Sequence, residues 1–180
     1  TEIKLTGNQI SNYRDLCAQM DELILKKQAN ALLSANESAY ATALVGATDA
    51  TVSYFNALAD VQEAEQALSD AQQHQADLRE ELNQKIRESS EAGEEQVQGA
   101  MSLYMEMEKA SASVEGCQEK LDSMNATLAD AEAAYTGYNT TIANYEGLSS
   151  AIISGDQEKI QEAVTNATYN FQTAETATRE

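Results

Sequence analysis

The side chains that could do chemistry in this chain do not combine into a catalytic group. His74 is the single histidine, so no histidine-based metal site or nucleophile–base pair can be assembled within one chain. Paired carboxylates at Glu80-Glu81 and Glu94-Glu95 have no partner group and are typical of a solvated helix face. No P-loop, HExxH, GxSxG or EF-hand motif is present. We therefore expect no enzyme activity, no cofactor and no metal.

The cysteines and the clustered tyrosines fit structural roles better than chemical ones. Cys17 and Cys117 are the two cysteines, a hundred residues apart and without a CxxC pair, which excludes a disulfide framework and a zinc site. Tyr135, Tyr138 and Tyr145 have the spacing of one helix face. We expect them to be bulky core residues whose hydroxyls reach the rim of a helix bundle.

An apolar stripe with heptad spacing carries the strongest structural signal. Alternating steps of three and four from Ala100 to Tyr145 meet fourteen apolar or aromatic residues without a break. A mean spacing of about 3.5 residues keeps one seam on one side of a helix, and that seam has to pack against another helix. The candidate packing residues, called the heptad stripe below, are Leu103, Met107, Val114, Cys117, Leu121, Met124, Leu128, Tyr135, Tyr138, Ile142 and Tyr145. We expect Met101 and Met105 beside it to contribute adaptable packing.

Composition predicts an all-α protein and excludes several classes of partner. The 180 residues contain no proline, the residue that helix interiors exclude most strongly. The net charge of −19 argues against binding nucleic acid or an anionic membrane surface, since both need clustered Lys and Arg. No segment approaches 18 consecutive apolar residues, so none is expected to span a membrane. Because the chain starts without Met and stops within a helical pattern, we expect it to be a piece of a longer protein.

Three segments are predicted along the chain. Residues 1–60 form an N-terminal helical segment, with Asn8 as the expected cap of its first helix. Residues 61–153 form a long heptad-bearing segment with a possible break near 89–95. Residues 154–180 form a short C-terminal helix, introduced by Gly155 as a left-handed helix end and Asp156 as an N-cap.

The register of the middle segment leaves two architectures open. An earlier seam from Val61 to Leu82 is thinner, with Gln75 at a core position, and its frame does not match that of the heptad stripe. The offset of four residues is a stutter that must fall near Gly93. Either the helix continues and the chain forms an extended parallel coiled coil, or it reverses at Gly93 into an antiparallel helical hairpin or bundle.

The C-terminal part resembles a segment of tail tape measure proteins from phages and prophages of Gram-positive gut bacteria. The resemblance rests on residues 144–156, NYEGLSSAIISGD, on residues 159–163, KIQEA, and on residues 171–180, FQTAETATRE. The other residues are similar only in being an alanine- and glutamate-rich coiled coil.

The resemblance implies a structural role in the virion. Tape measure proteins occupy the tail lumen as several extended helical copies, contact the tail tube proteins, and set tail length during assembly. They are made in the host cytoplasm. By this resemblance the chain would be a homo-oligomeric coiled coil and a tail-length ruler. The alternative is a helical-hairpin or bundle module that acts as a spacer or interaction domain of a bacterial protein.

Overall fold

The computed structural model describes residues 6–89 and 94–177, with side-chain environments from 6 to 88 and from 97 to 168. It contains α1 (Gly7–Ser89), α2 (Glu94–Ser154) and α3 (Gln157–Ala177). No strand occurs among these residues, which confirms the predicted all-α class. α1 is continuous through the Ser-, Thr- and Ala-rich residues 34–56 and through residue 60. Gly93, where one of the two predicted architectures places a reversal, lies outside the described residues.

Helix α1 begins with a capping box rather than at Asn8. The Thr6 hydroxyl accepts a hydrogen bond from the Gln9 backbone N–H (3.4 Å), and the Gln9 side-chain oxygen accepts one from the Thr6 N–H (2.9 Å). This reciprocal pair satisfies two donors that the helix itself leaves free. The prediction of an Asn8 cap is therefore wrong, because an Asn8 cap requires the helix to start at Gln9 and it starts two residues earlier, at Gly7.

The turn between α2 and α3 is as predicted. Gly155 has a φ of +69°, a left-handed conformation that other residues rarely adopt. The Asp156 carboxylate then accepts hydrogen bonds from the backbone N–H groups of Glu158 (3.1 Å) and Lys159 (3.4 Å). Together these residues end one helix and cap the next.

The chain divides into two compact units. The first comprises residues 1–48 and 136–180, and its core joins all three helices. Ala29 of α1 packs there with Leu148 and Ala151 of α2 and with Ile160 of α3. Ile160 is 0% exposed, and Ala163 and Val164 pack beside it, so this face of α3 holds the helix on the other two.

The second unit, residues 49–135, pairs α1 with α2 alone. Its core contains Leu78 and Leu82 of α1 and Leu103 and Ala110 of α2. No buried polar side chain in the described residues is left without a hydrogen-bond partner.

Candidate functional site

The heptad stripe lies against α1 of the same chain. Leu103 is buried and the other ten members are half-buried, while most residues between them are exposed. In the second unit the partners run in opposite directions: Tyr54 pairs with Tyr135, and further along α1 Gln75 pairs with Ser111. This is the antiparallel arrangement of the two that the sequence leaves open.

The first unit has the same antiparallel order. Tyr40 on α1 pairs with Tyr145 on α2, and Gly46, further along α1, contacts Tyr138. The partner of each of these tyrosines in α2 therefore comes from the same molecule.

The surface of α1 that receives the heptad stripe carries one small residue per heptad. Every seventh residue along this face is an alanine, over five consecutive repeats, and all five are buried or half-buried. Small side chains let the axes of two helices approach closely. They bury little area, so this face of α1 gives only a weak hydropathy pattern in the sequence. The five are Ala43, Ala50, Ala57, Ala64 and Ala71.

At two places α1 supplies a tyrosine that stacks on a tyrosine of the heptad stripe. In the first unit the rings of Tyr40 and Tyr145 stack with centroids 4.1 Å apart and planes 10° apart. In the second unit Tyr54 and Tyr135 stack at 5.1 Å and 15°. Offset stacks of this kind contribute about 0.5–1.5 kcal/mol beyond the area they bury. The partners Tyr40 and Tyr54 were missed from the sequence, although they lie two heptads apart in one register.

Tyr138 packs against a glycine instead of a ring. A Cβ atom added to Gly46 would lie 2.6 Å from Cζ of Tyr138, well inside van der Waals contact. The absence of a side chain at position 46 is therefore what lets the Tyr138 ring lie across α1. The sequence signal for this contact is a glycine inside a long helix, where glycine normally costs stability.

Two polar contacts accompany the apolar packing. The Gln75 side-chain amide donates a hydrogen bond to the Ser111 hydroxyl at 2.7 Å, which satisfies the polar core position noted in the sequence. The Tyr40 hydroxyl donates to the Glu146 carboxylate at 3.2 Å. Loss of hydration, followed by this carboxylate, raises the pKa of Tyr40.

The residues that could do chemistry are not brought together. His74, Glu80 and Glu81 are exposed. In the part of the chain that is described, no three His, Cys, Asp or Glu residues are grouped so that they could hold a metal ion. The side chains of Glu94 and Glu95 lie outside that part. Within it, no helix has the length and apolar character needed to cross a membrane.

Two methionines do not pack as expected. Met107 packs against the Leu78–Leu103 core, but Met101 and Met105 are 68% and 57% exposed. Both lie between the seam positions of the heptad, so they point away from α1. The prediction that they fill gaps in the core is wrong.

No family model, curated protein or solved structure matches this chain. The arrangement itself is a packing surface formed by apolar, aromatic and small residues. What it can do is hold two helices in register.

Proposed function

We propose that this chain is a non-enzymatic structural segment of a phage tail tape measure protein. Its role is to help set tail length as part of an extended helical oligomer in the tail lumen of the virion. The resemblance of residues 144–180 to such proteins supports the proposal. So does the near-complete helicity of the described residues, because helix length grows by about 1.5 Å with each residue and can serve as a measure.

A change in tail length with residue number tests this role directly. Residues 57–70 of α1 and 118–131 of α2 are two heptads each, on facing stretches of the two helices, so removing both keeps both registers. If the helices are fully extended in the tail, electron microscopy should find tails shorter by about 42 Å. Duplicating the same residues should lengthen them equally. Particles with unchanged tails would contradict the ruler role, as would particles without the chain.

The second candidate is a helical-hairpin spacer or interaction module of a bacterial protein. One observation favours it: the heptad stripe is already covered by α1 of the same molecule, with stacked tyrosine pairs in both units. In this role the hairpin is the working state, and the chain separates or presents neighbouring domains.

A crosslink between α1 and α2 separates the two candidates. Tyr40→Cys with Tyr145→Cys, in a chain whose natural cysteines are replaced by serine, allows the first unit to be locked by a short bis-methanethiosulfonate reagent, which forms a reducible disulfide with each thiol. A locked chain that still supports normal tails would favour the hairpin. Tails that fail to assemble only when the lock is closed, and recover on its reduction, would favour extension. Tyr40→Cys alone, treated with the same reagent, serves as the unlocked control, because the reagent then finds no second thiol in the chain.

A further inference from the structure

The first turns of α1 carry a second apolar surface that has no counterpart in the packing described above. We define the N-terminal stripe as seven residues, of which six are 41–67% exposed and Cys17 is half-buried. They are Ile10, Tyr13, Leu16, Cys17, Met20, Leu23 and Ile24. Five of them, at 10, 13, 17, 20 and 24, have the alternating three-and-four spacing of a coiled-coil seam.

This stripe is not a continuation of the surface that receives α2. The α2-facing residues of α1 include Ala29, Leu33 and Ala43, whose heptad register is shifted by two residues from that of Ile10 and Cys17. At about 100° per residue, the centres of the two surfaces lie roughly 150° apart around the helix. The N-terminal stripe is therefore not covered by α2.

We propose that the N-terminal stripe is a homodimerisation surface, occupied by the same stripe of a second copy in antiparallel orientation. The area is adequate. Six side chains of about 200 Å² each, exposed to the fractions given above, offer roughly 650 Å², near the roughly 800 Å² per partner of a standard interface. The helix is already formed and continuous with the rest of α1, so its ordering adds no nucleation cost.

The distribution of charge favours a second copy at this place. The chain as a whole has a net charge of −19, so copies repel one another over most of their surface. Residues 6–30 differ, because three basic residues balance three acidic ones. They are Arg14, Lys26 and Lys27 against Asp15, Asp21 and Glu22. Two copies can therefore approach here without net repulsion.

The residues beside the seam select the antiparallel orientation. In an antiparallel pair centred between Cys17 and Met20, Leu16 faces Leu23 of the second copy, and Arg14 faces its Asp21. In a parallel pair Leu16 would face Asp21 instead, which would place an apolar side chain against a carboxylate. In the four central layers, where Tyr13 faces Ile24 and Cys17 faces Met20, the antiparallel pair thus matches apolar with apolar, and it pairs positive with negative beside them. Ile10 lies outside these layers, opposite Lys27.

Sedimentation velocity over a concentration series tests the surface itself. The chain should form a reversible dimer, and Met20→Asp should raise its dissociation constant at least about tenfold, because the charge would be buried in the seam. Met101→Asp is the matched control, since Met101 is also an exposed methionine, and should leave dimerisation unchanged. Circular dichroism should report equal helicity for both variants. A chain that stays monomeric, or two variants with equal effects, would overturn the proposal.

Oxidative crosslinking tests the orientation in a Cys117→Ser chain. Cys17 alone should not crosslink, because in the antiparallel pair it faces Met20 of the second copy and not the other Cys17. With Met20→Cys added, peptide mapping should find a disulfide between position 17 of one copy and position 20 of the other. Efficient Cys17–Cys17 linkage would refute the antiparallel arrangement.

A charge exchange adds an independent check. Arg14→Asp and Asp21→Arg should each weaken the dimer several-fold, and the double variant should restore it. If the double variant dimerises no more tightly than the single variants, the pairing of Arg14 with Asp21 of the second copy is contradicted. The dimer does not depend on the tail role: it is measured on the isolated chain, whereas the tail role is measured on particles.

Discussion

Replacement of Gly46 by alanine sets helix propensity against packing in a single contact. In an exposed helix interior, Gly→Ala stabilises by about 0.5–1 kcal/mol, because glycine loses more backbone freedom on folding. At position 46 the new methyl carbon would lie 2.6 Å from Cζ of Tyr138. Relieving such an overlap in a packed interface costs about 1–3 kcal/mol. We therefore expect a net loss of about 1–2 kcal/mol in the free energy of unfolding.

Gly137→Ala is the matched control in the same unit. Gly137 also lies inside a helix, is exposed, and has no atom within 4 Å of an added Cβ. It should raise the free energy of unfolding by about 0.5–1 kcal/mol. Urea unfolding followed by circular dichroism at 222 nm measures both variants against the parent chain.

A double-mutant cycle with Tyr138→Ala isolates the contact. Once the ring is gone, Gly46→Ala should change sign and stabilise by about 0.5–1 kcal/mol. The coupling between positions 46 and 138 should then be about 1–3 kcal/mol, typical of residues in direct contact. If Gly46→Ala stabilises the parent chain as much as Gly137→Ala does, the close approach of Tyr138 to α1 is refuted.

Three further perturbations address the same unit. Ile160→Ala should lower the free energy of unfolding by about 2–4 kcal/mol, because it leaves a cavity at a fully buried position. Amide hydrogen exchange should accelerate first in α3. Unchanged exchange there would contradict the anchoring role of Ile160. Gly155→Ala should lower the free energy of unfolding by about 1 kcal/mol, because Gly155 has a left-handed backbone conformation. Gly155→Asn should lower it less in the same urea assay, because asparagine tolerates that conformation better. Equal losses would show that the backbone conformation is not the cause. The raised pKa of Tyr40 means that the folded state holds the phenol proton more tightly. That contribution to stability is complete below the unfolded pKa of about 10 and is lost as the pH rises above it. Tyr40→Phe should therefore flatten the fall in the free energy of unfolding above about pH 10, measured by urea unfolding at a series of pH values.

The sequence predicts the class of fold and one of its turns well, for reasons that are local. Helix is favoured by the lack of proline and by the heptad spacing. The Gly155–Asp156 turn follows from two adjacent residues with strong preferences. The cap at Asn8 fails because Thr6 and Gln9 form a capping box, and this signal was present in the sequence. A cap is thus predictable when the residue three positions later is considered with it.

The partner of the heptad stripe was not predictable in the same way. An apolar seam requires that something cover it, but the same seam satisfies a parallel oligomer and an antiparallel hairpin equally. From residue 43 to residue 71 the surface of α1 that does cover it carries an alanine in every heptad, and the low hydrophobicity of alanine hides the repeat from a hydropathy pattern. The contact of Gly46 with Tyr138 joins two positions more than ninety residues apart in the sequence, and it depends on the register of α1 against α2. Local propensity carries no information about that register.

The small residues along α1 also bear on how the hairpin competes with an extended form. Pairing within one chain is favoured by a high effective concentration, which lies in the millimolar range for short connections, and by the repulsion between separate chains of charge −19. The alanines of α1 make the hairpin easier to open, because each buries little area and so contributes little stability per heptad. Larger contributions come from the buried Val61, Leu68, Leu78 and Leu82 of α1 and from the stacked pairs of Tyr40 and Tyr54. In the proposed tail role, opening α1 from α2 would break both kinds of contact, and removing either stacked ring should shift the balance toward extension.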